Sequence, residues 1–231
     1  MHTGTGRVVE LVLEDGGHLA RITCPPNMIP TPGQYMLVGE ANEAGHASDT
    51  PLPVPVFYTD SAAEGFIATP LVPDSWAPGQ ELHLRGPLGR GFELPASARK
   101  VALVAFDEPP LRLRGLIEPS LRQNAAVVLV CDFAPERLPN EVEVQPLAAL
   151  ADITSWADYM ALNAARENLY KLGEKLGWSN QVPALREAQV LIRTPMPCGG
   201  FAECGVCAVN LKSGWKLACK DGPVLDWSEL G

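Results

Sequence analysis

The sequence predicts a β + α/β protein: a small antiparallel β-barrel, a reduced doubly wound parallel sheet domain, and a C-terminal Cys-rich hairpin. Three observations predict it. Residues 1–96 are a succession of short β-branched and leucine-rich runs cut by Gly/Pro turns, the pattern of a small barrel. From Lys100 onward, continuous apolar runs alternate with helix-like stretches, as in a parallel sheet covered on both faces. Four of the six cysteines fall between Cys198 and Cys219, among glycines and prolines.

In the first segment, Arg7 to Glu14 and His18 to Cys24 read as strands joined at Asp15-Gly16-Gly17, a hairpin signal. Gln34 to Val38, Val54 to Thr59, Gly65 to Thr69 and Glu81 to Arg85 follow as strands, punctuated by Pro32-Gly33 and Pro78-Gly79. The stretch from Glu40 to Pro55, rich in Ala, Pro, Gly and Asp, reads as a loop. In the second segment, residues 97–193, Val101 to Phe106 is a buried strand. A helix is expected after it, with Leu113, Leu116, Ile117 and Leu121 on one face and Pro119 kinking or ending it. Val127 to Phe133, Val142 to Val144 and Gln189 to Arg193 are further strands, giving a sheet of four or five. Ser155 to Leu176 is expected to be helical and broken near Asn163; Asp158 and Tyr159 show no distinguishable role there. In the third segment, residues 194–231, Val206 to Lys212 and Trp215 to Lys220 form a hairpin turning at Ser213-Gly214, and the tail from Asp221 is expected to be irregular.

The charge sum of −9 leaves no basic patch, which argues against nucleic acid as a partner. The opening MHTGTGRVVE lacks a basic segment followed by an apolar run, and the longest apolar runs are far too short to span a bilayer. A cytoplasmic chain is the expectation. In that compartment, clustered cysteines more often bind metal or do redox chemistry than form disulfides.

Cys198, Cys204, Cys207 and Cys219 offer four thiolates, three from one loop and one from a later strand. That set suits a [2Fe–2S] cluster, which makes the terminal segment an iron–sulfur hairpin. Gly199, Gly200 and Gly205 would let the backbone wrap closely and aim amides at the sulfurs, and Lys212, Lys216 and Lys220 would offset cluster charge. His2, His18, His46 and His83 are all remote, so a Rieske site is excluded. Structural zinc and disulfides stay open as alternatives, although only Cys204 and Cys207 form a short knuckle. Cys24 and Cys131 read as ordinary buried residues.

Together with Pro32-Gly33-Gln34-Tyr35, the run from Gly86 to Phe92 and the run from Cys219 to Val224, this layout resembles the electron-transfer subunit of heteromeric dihydroorotate dehydrogenase, in the ferredoxin reductase superfamily. The resemblance implies an FAD-binding-like barrel (1–96), an NAD-binding-like α/β domain (97–193) and a [2Fe–2S] segment (194–231). It further implies a hetero-oligomer in pyrimidine biosynthesis, in which electrons pass between a flavin/NAD system and the FMN of a catalytic flavoprotein partner. Carried over residue by residue, Cys198, Cys204, Cys207 and Cys219 are the cluster ligands, and Tyr58, Gly89 and Arg90 are the candidate FAD residues.

Departures weaken the nucleotide sites. The first Cys gap has five residues where the family usually has four. Leu52 to Thr59 lacks the arginine that contacts the flavin diphosphate in the family, and Ala68 to Pro73 lacks its phosphate-cradling glycine. FAD retention is therefore disfavoured. Asp107, Glu108, Pro109 and Pro110 replace the glycine-rich turn of a dinucleotide site. Two carboxylates there would repel phosphate, so NAD is not expected, and helix capping is the plainer reading of Asp107 and Glu108. No acid/base or nucleophile constellation is visible; catalysis would belong to the partner. The readings in competition are an iron–sulfur electron-transfer subunit, a complete FAD-containing reductase subunit, and a non-redox scaffold with structural zinc.

Overall fold

β-branched and leucine residues at alternate positions give the N-terminal half its pleat, and the side chains of one parity point inward. In the computed structural model, which describes residues 2–14, 17–41, 52–69, 72–133, 137–177 and 187–230, six strands form this half. They are β1 (His2–Glu14), β2 (Gly17–Thr23), β3 (Tyr35–Glu40), β4 (Val54–Ala62), β5 (Gly65–Thr69) and β6 (Glu81–Leu88). All pair antiparallel and close into a barrel in the order β1-β2-β5-β4-β3-β6. The Asp15-Gly16 turn, most of the Glu40 to Pro55 loop and Pro70-Leu71 lie outside the described residues.

The two faces of β3 and β4 have different destinations. Met36, Val38 and Val56 join Val8, Ile22, Phe66, Leu82 and Leu84 in the barrel core. Their neighbours Tyr35, Leu37 and Phe57 point outward, yet they are buried in the larger core shared with the rest of the chain. The outer wall of the barrel is therefore the floor on which the C-terminal half sits.

The second sheet holds β7 (Lys100–Ala105), β8 (Ala126–Val130), β9 (Val142–Gln145), β10 (Tyr159–Ala165), β11 (Ala188–Arg193) and β14 (Val224–Asp226). Its order is β14-β11-β10-β7-β8-β9, with β7 to β11 parallel and β14 antiparallel on β11. The parallel strands thus wind outward in both directions from β7. Helices α1 (Ile117–Arg122), α2 (Leu150–Trp156) and α3 (Leu169–Lys175) are short, and β12 (Ala208–Leu211) pairs with β13 (Gly214–Leu217) as a separate hairpin. Among the described residues, no helix is long and apolar enough to cross a membrane.

Three expectations need correction. Tyr159–Ala165 is not helical: it is a central strand buried along its whole length. A strand covered on both faces loses the period-2 signal, and Met, Ala and Leu are good helix formers, so local preference misleads where tertiary burial decides. Pro119 neither kinks nor ends the helix after β7; it lies in the first turn of α1, where its missing N–H would have had no partner. The stretch before α1 is instead two 3-10 turns, Pro110–Arg112 and Arg114–Leu116. The tail is not irregular, because β14 completes the sheet and a 3-10 turn follows at Trp227–Glu229.

Candidate metal centre

Residues 198–207 lie on the outer wall of the barrel. A Cβ on Gly199 would meet Leu37 at 3.5 Å, and a Cβ on Gly200 would stand 2.6 Å from the Tyr35 hydroxyl. Gly200 also has φ +74°, so both space and backbone conformation require glycine there. The other arm of the site is the turn after β13. Leu217 O accepts from the N–H groups of Lys220 and Asp221, and the Asp221 carboxylate accepts from the Leu217 N–H at 2.9 Å. Ala218 N–H donates to Cys207 O at 3.1 Å, tying the two arms together.

The four thiols fall into two pairs. Cys204 acts on the acidity of Cys198 and Cys207 on that of Cys219; the charge of Cys198 also reaches Cys219. The first pair lies at the surface, with Cys204 exposed, and the second is buried. Their acidities diverge accordingly. At Cys198 desolvation pushes the thiol up, but the Glu203 amide, the Cys204 side chain and the amides of Cys204 and Ala202 together outweigh it and hold the thiol down at about 6. Burial pushes the Cys219 thiol up to about 12, reinforced by Cys207 and by the charge of Cys198, against the Ala202 amide. Backbone amides aimed at a sulfur, as the glycine spacing suggests, are the donors an anionic metal–thiolate centre needs. Among the described residues, no three His, Cys, Asp or Glu side chains converge as a single-ion site.

Beneath the loop, fully buried Tyr35 donates from its hydroxyl to Cys219 O at 2.8 Å. Burial, with the neighbouring Cys219 and Cys207 adding, pushes its phenol further up, so it remains a donor. Sequence reasoning quoted Tyr35 within a motif but missed this role, because its partner lies 184 positions away. The lysines are differently placed than sequence proximity suggests: Lys216 pairs with Glu229 at 2.7 Å, and Lys212 donates to Ser228 O. A barrel cation stands over the loop instead, with the Arg85 guanidinium 3.9 Å from the Phe201 ring centre. Cys24 is half-buried, its thiol pushed up to about 11 by burial, and buried Cys131 donates to Phe133 O.

The three motifs quoted from the sequence meet in one junction. Gln34 Nε2 donates to Gly89 O at 3.2 Å, Phe92 N–H to Pro32 O, and Arg90 N–H to Gly222 O. Gly89 has φ +73°, and a Cβ on it would strike Gly222 O at 2.5 Å. The Arg90 guanidinium contacts Glu93 and Asp226, at 3.3 and 3.2 Å. Of the candidate flavin residues, Gly89 and Arg90 thus stand in this junction. Tyr58 lies elsewhere, on β4, where a Cβ on Gly115 would stand 2.4 Å from its ring.

Asp107 and Glu108 do not cap a helix; the 3-10 turns and α1 have no side-chain cap. They bridge the ends of the strands instead. Asp107 accepts from Ala165 N–H at 3.0 Å and Asn168 at 2.7 Å, and pairs with Arg193. Glu108 accepts from Asn163 at 2.6 Å, pairs with Arg112, and contacts Arg193 at 3.1 Å.

Residues 194–231 match the family model described as the iron-sulfur cluster binding domain of dihydroorotate dehydrogenase B. No curated protein matches the chain significantly. Among solved structures, an NADH-dependent reduced ferredoxin-NADP oxidoreductase studied for flavin-based electron bifurcation is 18% identical, with a TM-score of 0.67 over 98% of this chain and 89% of that one. A ferredoxin reductase of carbazole 1,9a-dioxygenase is 16% identical, with a TM-score of 0.59 over 83% of this chain and 68% of that one. A ferredoxin NADP+ reductase from Neisseria gonorrhoeae, with bound FAD and NADP, is 10% identical, with a TM-score of 0.54 over 83% and 98%. The chain has the ferredoxin reductase-like fold, and its C-terminal segment, residues 194–231, is similar to the iron-sulfur cluster binding domain of dihydroorotate dehydrogenase B.

Proposed function

We propose that the chain is an iron–sulfur electron-transfer subunit whose cluster is [2Fe–2S], held by Cys198, Cys204, Cys207 and Cys219. The observation that carries this reading is the similarity of residues 194–231 to an iron-sulfur cluster binding domain, with the Ala218 N–H bond to Cys207 O joining the two cysteine-bearing arms. Four thiols on these arms match in number the ligands that a [2Fe–2S] cluster needs. When bound, such a cluster supplies reversible one-electron transfer. The chain's own residues do the remainder. The amides of Ala202, Glu203 and Cys204 stabilise thiolate charge at the outer pair. Tyr35 and Asp221 fix the arm carrying Cys219.

The partner in this reading is a flavoprotein of the FMN dihydroorotate dehydrogenase type, and single electrons pass between a flavin/NAD system and that partner. Exposed Cys204 gives the direction of approach, and exposed Phe201, Val206 and Trp215 supply apolar surface on the same segment. A thiolate-held cluster suits a reducing cytoplasm. A second reading, retention of FAD, is favoured only by the fold and by neighbours such as the Neisseria enzyme.

Anaerobic purification of the full chain, followed by iron, sulfide and zinc analysis, tests the proposal. About two irons and two sulfides per chain are expected. Stoichiometric zinc without sulfide would show a structural zinc site instead.

A further inference from the structure

In open α/β sheets, ligands bind at the carboxyl ends of the strands, where the strand order reverses. Here that point lies between β7 and β10. It is spanned by Asp107 and Glu108 and their partners Asn163, Ala165 and Asn168 from β10 and its sequel, Arg193 from β11, and Arg112. The two carboxylates face two guanidinium groups, so the charges are met within the chain.

The next stretch closes the gap toward the barrel. Arg112 is 7% exposed and its guanidinium stacks on Phe57, 4.9 Å from the ring centre. Gly115 lies against the Tyr58 ring and Pro32, and buried Glu14 pairs with Arg114. The flavin and dinucleotide implied by the fold do not fit these residues. A pyrophosphate entering the crevice would meet two carboxylates already committed to arginines. A flavin ring on Tyr58 would have to displace the backbone at Gly115.

We propose that residues 107–116 are a built-in occupant of the nucleotide cleft, so that this chain binds neither a nicotinamide dinucleotide nor FAD. The inference rests on the cleft alone and stands whether the cysteines hold iron or zinc. Its consequence is that any hydride or two-electron donor must be handled by another protein.

The test uses the full chain, with its metal content and thermal midpoint recorded first. Equilibrium dialysis against NADH, NADPH and FAD is expected to show no saturable binding up to about 1 mM, the range of very weak complexes. Ferricyanide reduction by NADH, in which one NADH gives two electrons to two ferricyanides and releases NAD+ and a proton, is expected to be absent. Stoichiometric FAD in the purified chain, dinucleotide binding tighter than about 0.1 mM, or that diaphorase activity would overturn the proposal. The double variant Asp107→Asn, Glu108→Gln is expected to lower the thermal midpoint by on the order of 5 °C, because Arg112 and Arg193 lose their counter-charges. An unchanged midpoint would remove the network from its assigned role.

Discussion

Tyr35 and Cys198 show what single side chains contribute. Tyr35→Phe keeps the ring and removes one buried hydrogen bond to Cys219 O, at a cost of about 1 kcal/mol. The expected result is a thermal midpoint lower by about 2–4 °C and faster loss of the cluster to a chelator; equal lability of variant and native chain would contradict the positioning role. In the metal-free chain, Cys198 should react with iodoacetamide with a midpoint near pH 6, while Cys219 stays protected until far higher pH. The folded Cys198 thiol is held well below the ordinary thiol range, so the stabilisation it gives is present above that range and is lost as pH falls through about 6. Peptide mapping of the alkylated chain checks this, and parallel labelling of both thiols near pH 9 would contradict it. The four cysteines were legible because their spacing is local. The partners of Asp107 and Glu108 were not, since Arg193 is 86 positions from Asp107 and Asn163 is 55 from Glu108. Their charge was legible as hostile to phosphate, but not the arginines that answer it.

Legibility at the scale of elements follows burial. The barrel strands have one face inward and one outward, so their presence and order read from alternation, although β1 starts at His2 rather than Arg7 and β6 runs on to Leu88; the hairpin of β12 and β13 was announced by Ser213-Gly214. β10 is covered on both faces, and its residues Tyr159–Ala165 look like a helix until the sheet closes around them. β14 is three residues long, too short for any periodicity, and depends on β11 for its form. Its placement matters for the site, because the Cys219 turn leads directly into it. The junction of Gly89, Arg90 and Gly222 holds that turn against the barrel. Gly89→Ala puts a Cβ into Gly222 O with φ at +73°, and is expected to cost on the order of 2 kcal/mol. Arg90→Ala loses only part-exposed ion pairs and is expected to cost less than about 1 kcal/mol. Urea unfolding of the two variants checks the order; a larger loss for Arg90→Ala would place the strength of the junction in its charges.

For the whole molecule, the fold is ferredoxin reductase-like, and the four cysteines of the proposed cluster stand on two arms of the C-terminal segment. The outer wall of the barrel, built from Tyr35 and Leu37, supports the cysteine loop. The cleft between barrel and sheet is filled by Arg112, Arg114 and Gly115. What remains open to the surface is the Cys198 and Cys204 end of the site. The most direct test is the electron paramagnetic resonance spectrum of the anaerobically isolated, dithionite-reduced chain, taken with its iron and sulfide content. A one-electron signal from a [2Fe–2S] centre, with about two irons and two sulfides per chain, is predicted, and should vanish in Cys207→Ser or Cys219→Ser. A chain that carries one zinc, no sulfide and no signal on reduction would contradict the assignment.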